Sequence, residues 1–211
     1  MQLNDFMYRN YPHLELNPPL FYSWATGIRF ELGVAGAYSD ELYAQACYKR
    51  AITLFETIHP PADDIFIVMD VNDFHKGKHL KRQLKNFPPY VKKAALFKLQ
   101  HQVLPYIFPE HDDEGIFKTH RFILQCKTSD VKYAPLLKAI CNQELGLKPK
   151  MVHRVYFIHI NKKTIFHIYD DRGCDLLAAS PETIRDVYQK YNAWILDYDR
   201  PAIDQVFHEK V

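Results

Sequence analysis

Two short strings near the carboxyl end, Asp170-Asp171-Arg172-Gly173 and Asp197-Tyr198-Asp199-Arg200, combine paired carboxylates with guanidinium groups. Carboxylates that converge bind Mg²⁺ or Ca²⁺, or divide the work of general acid and base. A metal-assisted hydrolase would use Asp170, Asp171, Asp197 and Asp199 as ligands, with a metal-bound water as the nucleophile. The same letters also describe two turns. Aspartate side chains bond turn amides, Arg172-Gly173 suits a tight reversal, and a planar guanidinium matches a carboxylate with two hydrogen bonds. Charge balance favours this second reading: Asp170, Asp171, Arg172, Asp197, Asp199 and Arg200 form a structural network that needs no metal. Arg29 and Glu31, alternating with apolar residues in an early strand, read as cross-strand pairing residues. On this view, replacing Asp170 or Arg172 with alanine lowers the melting temperature.

Other chemistries find little support. There is no Gly-x-Ser-x-Gly elbow, no Walker-type loop and no Gly-x-Gly-x-x-Gly string, and seven glycines leave few loops to cradle a phosphate. The cysteines Cys47, Cys126, Cys141 and Cys174 form no Cys-x-x-Cys unit and stand among apolar neighbours, so buried thiols are expected and neither zinc nor another cofactor is. Of eleven histidines, His153, His159 and His167 fall on an expected hairpin, where His159 and His167 would be neighbours. His75 and His79 are four apart, but Gly77 between them argues for a loop.

The middle of the chain is asymmetric. Between Phe74 and Pro109 there are seven lysines, one arginine and no acid, although the whole chain carries only +2. Lys76, Lys78, Lys81, Arg82, Lys85, Lys92 and Lys93, with Phe87 and Tyr90 as aromatic anchors, are the residues expected to meet a partner. A protein with an acidic surface is the first expectation, because charge asymmetry steers association. Nucleic acid is the alternative, since Phe87, Tyr90 and Phe97 could stack on bases while the lysines track phosphates.

The elements that must position these groups are read from periodicity. Residues 27–33 alternate as a half-buried strand, and residues 63–71 form a continuous apolar run. Between them Ser39 caps a helix that Pro60-Pro61 stop, so the three should form a β-α-β unit. Further strands are expected over 118–128, 153–160, 164–170 and 174–180. Residues 90–104 have helical spacing, as do 130–145 with Gly146 as the C-terminal stop. Ser180-Pro181-Glu182 starts another helix, and a short one closes the chain. The class is α+β: one domain over 1–211 with a basic elaboration at about 74–109, built on a single mixed, mostly antiparallel sheet of about five or six strands packed by helices.

Three strings taken together, GIRFELG, IYDDRGCDLLA and YNAWILDYDRPAIDQVF, resemble an uncharacterised bacterial domain-of-unknown-function family (DUF3885-like). The likeness runs through most of the chain in this order. It implies a bacterial, cytosolic, single-domain protein and supplies no activity, cofactor or catalytic residue.

No apolar run approaches the roughly 18 residues of a membrane span, and the first residues lack a secretory signal, so the expected address is the cytoplasm. The function expected is a non-enzymatic binding protein that recognises a macromolecular partner through one charged face, in the specific case an immunity-type protein that neutralises a toxin. A metal-assisted hydrolase and a nucleic-acid-binding module are the rivals.

Overall fold

A computed structural model of the chain describes residues 2–34, 36, 39–74, 80, 84–85, 87–112 and 114–208. Pleating explains its framework. In β1 (Gly27–Glu31) the alternation sends Ile28 and Phe30 to one face and Arg29 to the other. In β2 (Asp64–Asp73) the continuous apolar run serves two cores at once, Ile65, Ile67 and Met69 entering one and Phe66 and Val68 the other. The remaining strands are β3 (Gln100–Pro105), β4 (Lys118–Lys127), β5 (Arg154–His159), β6 (Thr164–Ile168) and β7 (Gly173–Ala178). They form one sheet in the order β1-β7-β6-β5-β2-β4-β3, with every neighbouring pair antiparallel.

The class is α+β, as read from the pattern, but the sheet has seven strands and no parallel pair. The strand that periodicity missed is β3. Only Lys93–Leu96 of the stretch read as a helix is helical (α3 here), and Gln100–Pro105 continues as a mostly exposed edge strand whose polar residues disguise the alternation. The expected β-α-β unit is present in split form: β1 and β2 run in the same direction, but β7, β6 and β5 lie between them, so the helix that joins those two strands spans the width of three.

That helix, α2 (Asp40–Ile58), is capped by Ser39, whose hydroxyl accepts from the Leu42 N–H at 3.3 Å. It buries Cys47, Ala51, Leu54 and Phe55 beside α4 (Tyr133–Leu145), which ends at Gly146 with φ 69°, the left-handed conformation that glycine adopts without strain. The expected long helix after Ser180 is broken into 3₁₀ turns around α5 (Arg185–Lys190), followed by α6 (Arg200–His208). The sheet's other face is covered by α1 (Leu3–Asn10) and the segment that follows it, through Leu3, Phe6, Tyr11, Leu14, Leu16 and Leu20. The four cysteines are buried and unpaired.

Several histidines are buried as neutral rings. His59, at the end of α2, stacks on Phe55 at 4.2 Å with its Nδ1 on the Phe55 carbonyl, and burial drives its pKa down to about 3. Burial also lowers His159 and His167. A histidine whose pKa is lower folded than unfolded contributes fully above the unfolded value of about 6.5, and that contribution is lost as pH falls through and below it. The melting temperature is therefore expected to decline from about pH 6.5 downward, less steeply in His59→Phe. A profile that stays flat until carboxylates titrate near pH 4 would contradict this.

Candidate functional site

Arg29 is where the three strings that carry the resemblance meet. Its register partner is Asp175 of β7, and the pair is bidentate: Nε donates to Oδ1 at 2.7 Å and Nη2 to Oδ2 at 3.1 Å. The guanidinium lies over the rings of Tyr22, Tyr169 and Phe21 at 4.7, 4.8 and 5.1 Å. Its Nη1 is 4.0 Å from Asp199 Oδ2, while Asp199 Oδ1 accepts from the Tyr22 hydroxyl at 2.9 Å. The Arg29 carbonyl accepts from the Leu196 N–H at 3.0 Å, beside a bridge between Phe30 and Ile195, so the C-terminal string runs along the outer edge of β1.

A cavity of about 500 Å³ opens here, lined by Arg29, Glu31, Gly33, Tyr43, Tyr169, Arg172 and Leu196. Gly173 is required by close approach, since a Cβ there would fall 2.6 Å from the Phe30 carbonyl oxygen, whereas a Cβ on Gly33 would fall 2.3 Å from the Tyr43 hydroxyl and displace that side chain. The cleft is suited to hydrogen bonding and stacking rather than to nucleophilic attack. Burial holds the Tyr43 and Tyr169 phenols above their usual range, and burial reinforced by Asp171 pushes the nearby Cys47 thiol up to about 11.

The four carboxylates that sequence places in a common cluster go to separate partners. Asp170 accepts from the Arg172 N–H at 2.8 Å and pairs with its guanidinium at 2.5 Å. Asp171 turns to α2 and accepts from the Tyr43 hydroxyl at 3.0 Å. Asp197 is exposed and pairs with Arg200 at 3.2 Å, whereas Asp199 is buried against Tyr22 and Arg29. Consecutive residues diverge, and this scatters the set. Among the described residues no three His, Cys, Asp or Glu side chains are placed to hold a metal ion. Arg172 and Arg200 each close their own turn, and the link between the two turns is Arg29. Glu31 stands opposite Gly173 and borders the cavity. His159 and His167, read as hairpin neighbours, face Thr164 and Tyr156 respectively and lie on opposite sides of the sheet.

The basic segment needs correction too. Phe87 and Tyr90 are 2% and 8% exposed, enclosed in the helical core, and cannot serve as anchors for a partner. Pro88-Pro89 start a 3₁₀ turn that tucks both rings inward. Phe97, in contrast, is 85% exposed. Lys85, Lys93 and Lys98 are exposed and make no ion pair among the described residues, while Lys92 reaches Asp130 at 3.1 Å. Lys76, Lys78, Lys81 and Arg82 lie outside the described residues.

One constellation escaped the sequence reading. His101 of β3 and His120 of β4 share a 2.8 Å contact between Nε2 and Nδ1, and His120 Nε2 is 3.4 Å from Asp73 Oδ2. His101 also stacks on Phe122 at 4.6 Å. In register His101 pairs with Phe122 and Val103 with His120, so the two imidazoles are diagonal neighbours on one face. The polar, mostly exposed Gln100-His101-Gln102 run carries no apolar period that would have placed them together.

The Arg29 and Asp175 side chains are 11% and 1% exposed, so removing one partner strands a buried charge, whereas the Arg172 side chain is 78% exposed. Asp175→Asn is therefore expected to destabilise by about 3–5 kcal/mol and lower the melting temperature by roughly 10 °C. Arg172→Ala is expected to cost under about 1 kcal/mol. Thermal melts of both variants that reversed this order would refute the assignment.

An uncharacterized protein of Bacillus subtilis (strain 168), YnaE, is 32% identical over 212 residues, covering 94% of this chain and 99% of its own. No solved structure matches. The family described as Domain of unknown function (DUF3885) matches residues 3–199, a span that takes in the whole Arg29 cluster, and the chain belongs to that family.

Proposed function

We propose that this protein is a non-catalytic binding protein that recognises an acidic protein surface through the face formed by α3 and the neighbouring edge of the sheet. One observation carries the reading: the charges are not balanced evenly. Around Arg29 the aspartates Asp170, Asp171, Asp175, Asp197 and Asp199 each have a guanidinium or phenol partner, whereas Lys85, Lys93 and Lys98 are exposed without an ion pair among the described residues. Such a field speeds encounter with an opposite charge, and Phe97, exposed among these lysines, supplies an aromatic contact.

An immunity-type role, in which the protein caps a toxin, is the specific form of this reading, supported by analogy with other small α+β binding proteins. Single-stranded nucleic acid is the second reading, favoured by the same exposed ring beside lysines. The hydrolase reading, which needs Asp170, Asp171, Asp197 and Asp199 to act together, draws less support, because each of these carboxylates bonds a separate partner.

Binding of poly-glutamate and of an oligothymidylate, each titrated with salt, separates these readings. Poly-glutamate is expected to bind, and Lys93→Glu combined with Lys98→Glu should weaken it by about tenfold or more. Tighter binding of the oligonucleotide with a steep salt slope would transfer the face to nucleic acid. Indifference of both probes to the charge reversal would dismiss it as an interaction surface.

A further inference from the structure

The register of the sheet determines which backbone groups of β3 are already used. Beyond the end of β2 and β4, the Thr128 N–H bonds the Asp63 carbonyl at 2.9 Å. Antiparallel ladders alternate between bonded and non-bonded pairs. Counting by twos from Asp63 and Thr128 gives Ile65 with Cys126, Ile67 with Leu124, Met69 with Phe122 and Val71 with His120. Phe122 and His120 thus turn their N–H and C=O groups toward β2, and Ile123, Arg121 and Thr119 turn theirs toward β3. Their register partners are Gln100, Gln102 and Leu104. His101 and Val103, in between, direct both backbone groups away from the sheet. Pro105 shares their phase, so its missing N–H costs no ladder bond.

The two edges of the sheet therefore differ. At β1 the corresponding outward carbonyl, that of Arg29, is taken by Leu196. At β3 the pairing among the described residues is to β4 alone, and Val103 is 56% exposed. An edge with free donors and acceptors is a template for another strand.

We propose that β3 is a docking edge that takes an extended acidic segment of a partner protein as an eighth strand, an inference that rests on the charged-face reading above and specifies its mode of contact. The lysines decide the occupant. Lys93 and Lys98 lie just before β3 and are exposed without an ion pair among the described residues, whereas in the cavity of about 550 Å³ that Gln100 and Lys98 help to line, Lys127 is paired with Asp64 at 3.7 Å and Asp130 with Lys92 at 3.1 Å. A second copy of the chain would bring the same cations against one another, whereas an acidic strand neutralises them. At the other end of β3 the connection to β4 carries Asp112, whose carboxylate accepts from the Ile116 and Phe117 N–H groups at 2.9 Å. The acidic residues of the docked strand consequently belong at the Gln100 end.

The test uses a short synthetic peptide of alternating Glu and Val and two versions N-methylated at alternate residues, one in each phase. The parent peptide should bind, one methylated phase should match it, and the other should lose about tenfold or more because its amides face His101 and Val103. Val103→Pro, which removes an outward N–H and no ladder bond, should melt like the parent protein and lose the peptide. Equal affinity of all three peptides, still weakened by Lys93→Glu with Lys98→Glu, would overturn strand addition and leave the charged face standing. Poly-glutamate binding with no peptide binding would do the same, and silence of every acidic probe would remove both. Sedimentation showing that the protein pairs with itself through β3 would assign the edge to a second copy instead.

Discussion

The buried ion pair of Arg29 with Asp175 sets the terms for the rest of the molecule. A guanidinium removed from water is costly unless its geometry and its remaining hydrogen bonds are satisfied, and here the fork is matched by both carboxylate oxygens and flanked by three aromatic rings. Asp175 also accepts from the Phe21 N–H at 3.1 Å. The pair thereby joins an edge strand, its neighbour and the loop before β1. The backbone of the same arginine holds Leu196, which brings the C-terminal segment onto the edge. Charge neutrality at this end and closure of this edge have one cause.

The consequence appears across the sheet. With β1 covered, the remaining exposed edge among the described residues is β3, preceded by the exposed Lys93 and Lys98 and ended by Pro105. Lysine and proline at an edge discourage pairing with identical chains, and the lysines invite a partner of opposite charge. The histidine pair on this edge, with Asp73 behind it, orients the His101 ring through the contact with His120 together with stacking on Phe122.

How much of this was legible depended on whether the cause was local. Ser39 as a cap and Gly146 as a stop act within a few residues, and both helices follow from their letters. The six strands with apolar alternation or apolar runs were equally readable. β3 was not, because an exposed edge strand buries too little to leave a pattern: Gln100, His101 and Gln102 resemble the tail of a helix. The turn at Asp170 to Gly173 could be recognised, being closed by its own charges, but the direction of Asp171 could not, since its partner Tyr43 is contributed by a distant helix. Phe87 and Tyr90 were misjudged because rings interleaved with lysines look alike whether they face the core or the solvent; the diproline turn decided it. Long-range charge pairing was the least accessible. Arg29 and Asp175 are each visible as polar residues in a strand, and only the sheet order makes them neighbours.

The account stands on a sheet sealed at one edge by the Arg29 cluster and open at the other. Amide hydrogen exchange measured residue by residue by NMR reads both edges at once. The Leu196 and Gln102 amides should be protected, and those of His101 and Val103 should exchange at rates close to those of an unstructured chain. Protection of His101 and Val103 in the isolated protein, or rapid exchange at Leu196, would contradict it.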